Sequence, residues 1–282
     1  MIIDIISDIH LDFYARFNRV KTEAFVEKLI KSKRNKTFEI LVVAGDIGHY
    51  NDDNPYLIKL LSQFYEKIFI TWGNHDLYLL SSQYKEKYNY NSFNRLNEFK
   101  EMIKSIKNVT FLDRQKIMYK GITFWGSGLW YNVSSLKHWT NYMNDLKYIY
   151  DRRDGYKIVL PYDFYPIKYN FDTFKLYKKE YEKIKSLDYA NVIVTHILPI
   201  KIFDNSDLRD CYFYVDYGEK IIKKIQPRFW IFGHIHAKRY KKLKDCELVA
   251  NPLRYPEENE KFILESINKN EIEIINIKLF SE

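Results

Sequence analysis

The chain contains a series of short apolar runs rich in β-branched residues, and each run ends in polar residues. These runs are 2–6, 39–44, 67–72, 191–195 and 228–232. Segments with helical periodicity separate the early runs, at 21–34, 55–66 and 94–106. This alternation predicts a layered α/β fold with buried sheets. Because the carboxyl ends of strands in such sheets converge at one edge, we expect the polar strand ends to meet there.

The later part of the chain adds a second group of strands. The strand-like segments are 109–129, 246–250, 261–267 and 271–278, the last two as a hairpin. Two groups of strands predict a four-layer α-β-β-α sandwich of two mixed β-sheets with flanking helices. We expect one domain spanning residues 1–282, since no repeat or low-complexity linker interrupts the sequence.

The segment from about 130 to 187 breaks the alternation of strands and helices. It is rich in tryptophan and tyrosine, and it predicts helices near 135–149 and 171–187. An irregular piece with Pro161 and Pro166 joins these helices. We expect this segment to form a helical, aromatic insertion that covers the edge where the polar strand ends meet.

The polar residues after the strands are carboxylates, imidazoles and amides. They are Asp8, His10, Asp46, Asn74, His75, His196, His234 and His236. Five of the seven histidines in the chain fall in this set, which packing alone does not explain. Such groups bind hard or borderline divalent cations. One Asp-x-His or His-x-His pair is usually a turn or a surface pair, but the joint occurrence after successive strands indicates a metal site.

This set of motifs resembles that of the calcineurin-like metallophosphoesterases. The matching stretches are SDIH at 7–10, GD at 45–46, GNHD at 73–76, THILP at 195–199 and GHIH at 233–236. The resemblance covers nearly the whole chain, since NPLRYPEE at 251–258 also looks like the family's segment after its last histidines. The ordered motifs are specific for a binuclear phosphoesterase and much less specific for its substrate.

The resemblance implies two divalent metal ions with one shared ligand. One ion would be held by Asp8, His10, Asp46 and His236, and the other by Asp46, Asn74, His196 and His234. Two cations roughly 3.5–4 Å apart repel each other, and a bridging carboxylate and hydroxide offset this repulsion. The bridging hydroxide would be the nucleophile, because the two ions lower the pKa of water. Mn²⁺ is the first expectation, Fe and Zn also fit, and Mg suits this nitrogen-rich set least.

The resemblance also implies that His75 acts as the general acid that protonates the leaving group. Asp76 is expected either to orient a ring nitrogen or to cap the following helix. The chain departs from the protein-phosphatase branch at one position, where His49 in GDIGHY replaces the second aspartate of that branch. This departure argues against a Ser/Thr protein phosphatase. His49 is then either an ordinary loop residue or a substrate contact at the rim.

Three functional interpretations remain. The first is a phosphomonoesterase or phosphodiesterase for a small metabolite or nucleotide, in which insertion aromatics stack on a base and Arg152, Arg153 or Arg254 binds phosphate. The second is a nuclease acting on DNA or RNA, which the net charge of +8 permits but does not indicate. The third is a non-catalytic binding protein of the same fold, which is disfavoured because every ligand position is filled.

Cysteine use and hydropathy indicate where the protein is expected to work. Cys211 and Cys246 are far apart and form no metal-type pair, which fits the reduced cytoplasm. No apolar run is long enough to span a bilayer, and the first strand begins at residue 2. We therefore expect a cytoplasmic enzyme with a small-molecule substrate and no membrane association. The pattern does not predict an oligomeric state.

Overall fold

The computed structural model of the chain has two large β-sheets with helices outside them. It describes residues 1–31, 38–133, 139, 141–158, 167–202, 212–258 and 277–278. The strands are β1 (Ile2–Ile6), β2 (Ile40–Ala44), β3 (Lys67–Thr71), β4 (Val109–Phe111), β5 (Gln115–Tyr119), β6 (Ile122–Ser127), β7 (Tyr156–Ile158), β8 (Ile167–Tyr169), β9 (Val192–Thr195), β10 (Phe229–Phe232), β11 (Arg239–Leu243), β12 (Cys246–Ala250) and β13 (Ile277–Lys278). The helices are α1 (Leu11–Ala15), α2 (Arg19–Lys31), α3 (Asn54–Leu61), α4 (Ser82–Lys87), α5 (Ser92–Ile103), α6 (Asp145–Tyr148), α7 (Thr173–Lys185) and α8 (Gly218–Ile225), with 3₁₀ turns at His75–Leu77 and Pro256–Glu258.

Both large sheets have parallel strands at their centre, with an antiparallel strand at one edge of the first sheet and at both edges of the second. The first sheet has the order β13-β1-β2-β3-β4, and only its β1–β13 pair is antiparallel among the strands described. The second has the order β11-β12-β10-β9-β6-β5, with antiparallel pairs at both ends. A separate hairpin joins β7 and β8. The carboxyl ends of the central strands therefore collect at one edge of each sheet.

The apolar core lies in three layers because the side chains of successive strand residues point to opposite faces. Val42 of the first sheet packs against Phe124 and Ile231 of the second sheet, so these residues fill the space between the sheets. Burial on both faces explains why the strands are continuous apolar runs rather than alternating ones.

Helices cover the outer face of each sheet. Val43 packs with Leu57 of α3 outside the first sheet. Trp230 packs with Leu176 of α7 and Ile221 of α8 outside the second sheet. The layers thus run helix, sheet, sheet, helix, which confirms the predicted four-layer sandwich of two mixed sheets.

Most of the predicted elements in the first half of the chain are present. Helices α2, α3 and α5 lie at the three segments with helical periodicity, and β4, β5 and β6 lie in succession within 109–129. The predicted strand at 246–250 is β12. The predicted hairpin over 261–278 lies outside the described residues apart from Ile277–Lys278. Within the described part of the chain, no helix is long and apolar enough to cross a membrane.

The segment 130–187 is divided between two places in the fold. Its C-terminal helix, α7, belongs to the outer layer of the second sheet, while α6 brings Asp145 to the polar strand ends. Of the helix predicted near 135–149, the structure describes helical residues at 139, 141–142 and 145–148. Pro161 and Pro166 lie outside the described residues.

Candidate metal centre

The residues predicted to bind metal come together where strands of both sheets end. Asp8 and His10 follow β1, Asp46 follows β2, Asn74 follows β3, His196 follows β9, and His234 and His236 follow β10. The first five of these side chains are buried, and the two histidines after β10 are half-buried. Both sheets therefore contribute to one cluster of carboxylate, amide and imidazole groups.

Left-handed backbone conformations turn several of these side chains toward the cluster. The φ angle is 50° at Asp8, 45° at His10, 56° at Asp46 and 68° at His234. This conformation is uncommon outside glycine, although Asn, Asp and His adopt it more readily than other residues. It costs roughly 1–3 kcal/mol per residue and is concentrated at functional sites. Its presence at four of the predicted ligands supports a functional role for the cluster.

The first group of candidate ligands contains Asp8, His10, Asp46 and His236. Nε2 of His10 lies 3.2 Å from Nε2 of His236. Oδ2 of Asp46 lies 3.9 Å from the first of these nitrogens, and Oδ1 of Asp8 lies 3.9 Å from the second. Donor atoms of Asp8, His10 and His236 all lie within 4.8 Å of one another, as donors around a single cation do.

The second group contains Asp46, Asn74, His196 and His234. Oδ1 of Asn74 lies 3.1 Å from Nε2 of His196 and 3.1 Å from Nδ1 of His234. Oδ2 of Asp46 lies 3.2 Å from the same His196 nitrogen. This carboxylate oxygen therefore faces both groups, which is the position of a ligand shared by two metal ions.

Three histidine rings form hydrogen bonds through the nitrogen that points away from the centre. These bonds show that the other nitrogen of each ring faces the centre with its lone pair. His196 donates from Nδ1 to the carbonyl of Ala44 at 2.9 Å, His234 from Nε2 to the carbonyl of Tyr212 at 3.2 Å, and His236 from Nδ1 to Glu258 at 2.5 Å. Bonds of this kind fix the tautomer and orientation of metal-binding histidines. The inward nitrogens are then acceptors, like the carboxylate and amide oxygens that they face.

Acceptors that face acceptors need a cation between them. Burial lowers the pKa of His196, but the Asp46 carboxylate outweighs burial and raises this pKa to about 9, so that a proton occupies the position between them. Burial also raises the pKa of Asp8 to about 6, against the attraction of His196. Metal binding displaces such protons. The donor set thus fits two divalent cations that share Asp46.

A buried carboxylate from α6 fixes the amide of Asn74. Nδ2 of Asn74 donates to Oδ1 of Asp145 at 2.8 Å and to the hydroxyl of Tyr78 at 3.1 Å. The hydroxyls of Tyr78 and Tyr131 donate to the same carboxylate. Because a carboxylate only accepts, the amide must turn its oxygen toward the two histidines. No local sequence pattern distinguishes Asp145, so it is not among the predicted site residues.

Asp76 binds backbone groups rather than a ring nitrogen or a helix end. Its Oδ2 accepts the N–H groups of Gly73 and Asp46, both at 2.8 Å, and its Oδ1 accepts that of Ile47 at 3.0 Å. Among the described residues, neither of the two roles expected for Asp76 is seen. The carboxylate instead joins the loops after β2 and β3, which carry predicted ligands.

Gly73 lies where no side chain fits. A Cβ atom at this position would be 2.2 Å from Oδ1 and 2.7 Å from the backbone nitrogen of Asp46. The glycine therefore permits the close approach of the loops after β2 and β3.

Substitution of Gly73 by alanine should destabilise the fold by about 1–3 kcal/mol, because the added methyl group overpacks the loops. Displacement of Asp46 should also weaken Mn²⁺ binding about 10–100-fold. Chemical denaturation and calorimetric titration with Mn²⁺ measure the two effects. Gly121→Ala is the control, because a methyl group there would meet no heavy atom within 4 Å beyond its chain neighbours, although the φ of 79° adds backbone strain of its own. Native Mn²⁺ affinity in Gly73→Ala would show that the loops yield without moving Asp46.

His75 lies beside the first ligand group and is linked to two further residues. One of its ring nitrogens lies within 4.8 Å of a His10 nitrogen and an Asp46 oxygen. Nδ1 of His75 lies 2.8 Å from Nε2 of His49, and Nδ1 of His49 lies 2.6 Å from Oδ2 of Asp12. His49 is only 5% exposed. It is therefore neither an ordinary loop residue nor a substrate contact at the rim, because both ring nitrogens bind protein groups.

Burial and hydrogen bonding determine the charge of these groups. Burial raises the pKa of Asp12, but its hydrogen bonds with His49 outweigh burial and hold this pKa below its usual value. Burial lowers the pKa of His75 well below its usual value, although Asp46 opposes this. Because burial disfavours the charged form of the ring, His75 can hold a second proton only where neighbouring acceptor groups stabilise it.

A buried arginine holds the loops that carry His49 and His75. Arg95 has no exposed surface, and it donates to the carbonyls of Gly48 at 2.6 Å, His75 at 3.0 Å and Tyr78 at 3.2 Å. A guanidinium group suits this task because its donors have a fixed planar geometry. Arg95 lies in α5 and was not identified from the sequence.

Two of the arginines predicted to bind phosphate have other partners. Arg153 forms an ion pair with Glu86 at 2.7 Å and lies over the ring of Tyr90, and Arg152 lies over the ring of Tyr156. Both are exposed. No hydrogen bond or ion pair found among the described residues connects either of them to the ligand groups.

The third predicted arginine, Arg254, is close to the cluster through its main chain. Its N–H donates to the carbonyl of Asp8 at 3.0 Å, and its own carbonyl accepts the Tyr14 hydroxyl at 2.7 Å. Its φ of 78° is left-handed. The residue thus shapes the loop beside Asp8, and its role as a phosphate contact stays a prediction.

Aromatic rings beside the first ligand group come from outside the predicted insertion. The ring of Tyr255 stacks on that of His10 with centroids 4.5 Å apart, and the ring of Phe13 lies 4.6 Å from that of Tyr255. Phe13 is 48% exposed and offers apolar surface near the cluster. By contrast, Trp130 and Tyr131 of the insertion are fully buried. These two rings pack in the core and are not available to stack on a base.

Comparison with known proteins agrees with the fold and the motifs. The sequence model of the family described as "Calcineurin-like phosphoesterase" matches residues 1–238. "Uncharacterized protein L509" of Acanthamoeba polyphaga mimivirus is 24% identical over 277 residues, which cover 91% of this chain and 92% of that protein. The crystal structure of the phosphopantetheinyl hydrolase PptH from Mycobacterium tuberculosis superposes with a TM-score of 0.59 at 14% identity, over 92% of each chain. At that identity the superposition shows a shared fold.

Proposed function

Because the chain belongs to the calcineurin-like phosphoesterase family, whose members are metal-dependent phosphoesterases, we propose that it hydrolyses a phosphomonoester or phosphodiester of a small metabolite or nucleotide. The observation that carries this proposal is the position of Oδ2 of Asp46. It faces both groups of candidate ligands, and His75 lies beside the first of them.

Each group in the centre has a separate task in this reaction. Two divalent ions, when bound, would activate water and bind the phosphate oxygens. Asp46 lies between the two ligand groups and would hold both ions. Nδ1 of His75 is engaged by His49, so Nε2 is the ring atom left to protonate the leaving oxygen. Asp76 acts on the backbone that positions these groups and is not expected to touch the substrate.

The surroundings of the centre support a substrate with an organic group on the phosphate. The exposed ring of Phe13 and the ring of Tyr255 lie next to His10, where they can contact an apolar or aromatic part of the substrate. We propose Mn²⁺ as the activating metal, with Fe and Zn next, because the donor set mixes imidazole nitrogens with carboxylate and amide oxygens.

A substrate panel tests the proposed function. It should contain phosphomonoesters, phosphodiesters, nucleotides, a phosphopantetheinyl ester, DNA and RNA, each assayed with Mn²⁺, Mg²⁺, Fe²⁺ and Zn²⁺. Turnover of small esters is the expected result. Preferred cleavage of DNA or RNA that falls steeply with added salt would instead favour a nuclease. Absence of turnover with every ester and metal would contradict an enzymatic function.

His75→Asn should lower kcat about 10²–10⁴-fold while both metal ions remain bound, because a general acid contributes that much to the rate and is not a ligand. Steady-state kinetics and elemental analysis of the purified protein measure the two quantities. His10→Asn is the comparison, since it removes a candidate ligand and should lose metal together with activity. Loss of metal from His75→Asn would show that His75 is itself a ligand.

A further inference from the structure

A row of three side chains, Asp12, His49 and His75, ends beside the first ligand group. Oδ2 of Asp12 lies 2.6 Å from Nδ1 of His49, and Nε2 of His49 lies 2.8 Å from Nδ1 of His75. Oδ1 of Asp12 also accepts the backbone N–H of His49 at 3.0 Å, so both oxygens of the carboxylate are engaged. The side chains of His49 and Asp12 are 5% and 9% exposed.

The carboxylate determines the direction of every hydrogen bond in this row. An ionised carboxylate can only accept, so the proton of neutral His49 must be on Nδ1. Nε2 of His49 is then a lone pair, and it can only accept the Nδ1 proton of His75. The remaining nitrogen of His75, Nε2, has no partner in this row and is left to face the substrate.

We propose that Asp12 and His49 are positioning residues that fix the ring orientation and the Nδ1 proton of His75, so that Nε2 delivers its proton to the leaving oxygen. The inference rests on the proposed role of His75. One proton moves, from Nε2 of His75 to the oxygen released as the P–O bond breaks. The protons on Nδ1 of His75 and Nδ1 of His49 stay in place, and solvent water returns a proton to Nε2 after the product leaves.

The packing around the row keeps the rings from turning. The ring of Tyr78 stacks on that of His49, with centroids 5.7 Å apart and planes 7° from parallel. Arg95 donates to the carbonyl of Gly48, the residue before His49, and to the carbonyl of His75 itself. The row is therefore a fixed arrangement in which the carboxylate acts on His75 through the intervening ring.

Asp12→Asn should reverse the direction of the hydrogen bonds in the row, while the side chain at position 12 keeps its size. The amide oxygen of the variant side chain still accepts the backbone N–H of His49. The new NH₂ group therefore faces Nδ1 of His49 and donates to it. The proton of His49 must then move to Nε2, where it points at Nδ1 of His75. That contact opposes the Nδ1 proton of His75, and His75 can no longer carry protons on both nitrogens.

Two esters that differ only in the leaving group measure the effect on His75. Phenolate needs a proton as it leaves, and 2,4-dinitrophenolate does not. For Asp12→Asn we expect kcat to fall about 10²-fold with the phenyl ester and less than about threefold with the dinitrophenyl ester. Metal content should be native. Nitrogen-15 NMR of the metal-free protein should show the proton of His49 moving from Nδ1 to Nε2, independently of activity.

Asp53→Asn is the matched control, because Asp53 is also a buried carboxylate that accepts a backbone N–H, that of Phe17 at 2.8 Å. It should leave the ratio of the two rates unchanged. In a His75→Asn background, Asp12→Asn should have no further effect on this ratio, since residues that act as a unit are not additive. Should Asp12→Asn fail to fold, His49→Gln, which keeps an acceptor for His75, should retain more phenyl-ester activity than His49→Leu.

The positioning role of Asp12 and His49 would be overturned if Asp12→Asn slowed both esters equally, so that the ratio of the two rates did not change. It would also be overturned if the proton of His49 stayed on Nδ1 in this variant. Equal rates of His49→Gln and His49→Leu with the phenyl ester would do the same. Failure of the proposed function has a different signature, because His75→Asn itself would then show no dependence on the leaving group. A leaving-group effect in His75→Asn without one in Asp12→Asn would reject only the positioning role.

Discussion

Asparagine in place of Asp46 is expected to leave the protein folded and unable to hold its metal pair. Oδ1 of Asp46 accepts the N–H of His75 at 2.9 Å, and an amide oxygen keeps this bond. The new NH₂ group takes the place of Oδ2, 3.2 Å from Nε2 of His196, and donates to that nitrogen. A neutral hydrogen bond thus replaces the shared negative charge. We expect activity to fall about 10³-fold or more.

Thermal unfolding with and without Mn²⁺ tests the shared-ligand role apart from activity. A ligand that binds only the folded state raises the free energy of unfolding by about 2.7 kcal/mol at a concentration of 100 Kd. The native protein should show such a rise, and Asp46→Asn should show almost none. Asp53→Asn is again the control, because it changes a buried carboxylate outside both ligand groups. Native stabilisation of Asp46→Asn by Mn²⁺ would contradict the role of Asp46 as a bridge.

Methionine in place of Arg95 should destabilise the protein by about 3–5 kcal/mol and also reduce the activity of the molecules that stay folded. The substitution removes the donors to the carbonyls of Gly48, His75 and Tyr78 from a site without solvent. Each lost charge-assisted bond costs about 1.5–3 kcal/mol, and the losses are not additive. The loops that carry His49 and His75 lose their common support, so kcat should fall about 10²-fold.

Arg114→Met separates the loss of stability from the loss of site geometry. Arg114 is 12% exposed and binds the fully buried Glu180 of α7 at 2.6 Å, so its removal leaves a buried carboxylate unpaired. This variant should lose a similar amount of stability but keep native kcat per folded molecule. Chemical denaturation and kinetics at a temperature where both variants are folded make the comparison. Native kcat in Arg95→Met would show that the two loops do not depend on the guanidinium.

The residues that gather at the strand ends could be predicted from the sequence because each of them follows a recognisable strand. An apolar run such as 39–44 identifies the strand, and the parallel arrangement of the sheet brings its end next to the others. Continuous apolar runs also predict that both faces of each sheet are buried. The fold and the membership of the cluster therefore depend on local patterns that a single sequence contains.

The residues that orient the cluster could not be predicted in this way. Asp12 binds a ring 37 positions away, Asp145 an amide 71 positions away and Glu258 a ring 22 positions away. Asp145 lies in the helix predicted near 135–149 and the other two lie outside the periodic segments, but in each case a carboxylate that forms such a contact has the same sequence context as a solvated one. His49 offered only a partial indication, since it occupies the place where the protein-phosphatase branch has an aspartate, and the sequence pattern does not show which residue contacts it instead.

The aromatic residues show the same limit. Aromatic side chains make up 17% of the chain, and composition does not separate those in the core from those at the surface. Trp130 is buried against the second sheet, whereas Phe13, in a helix of five residues, is exposed beside His10. Only the packing of the two sheets and their loops decides which rings remain available to a substrate.

The division of the ligands between the two sheets has a consequence for the order of events during synthesis. Each ligand group combines side chains before residue 75 with histidines after residue 195. A ribosome that has released only the first half of the chain has therefore exposed three of the four candidate ligands of the first group and two of the four of the second. On the proposed ligand assignment, tight capture of either ion needs the histidines that follow β9 and β10, so metal uptake is expected to follow the docking of these two strands.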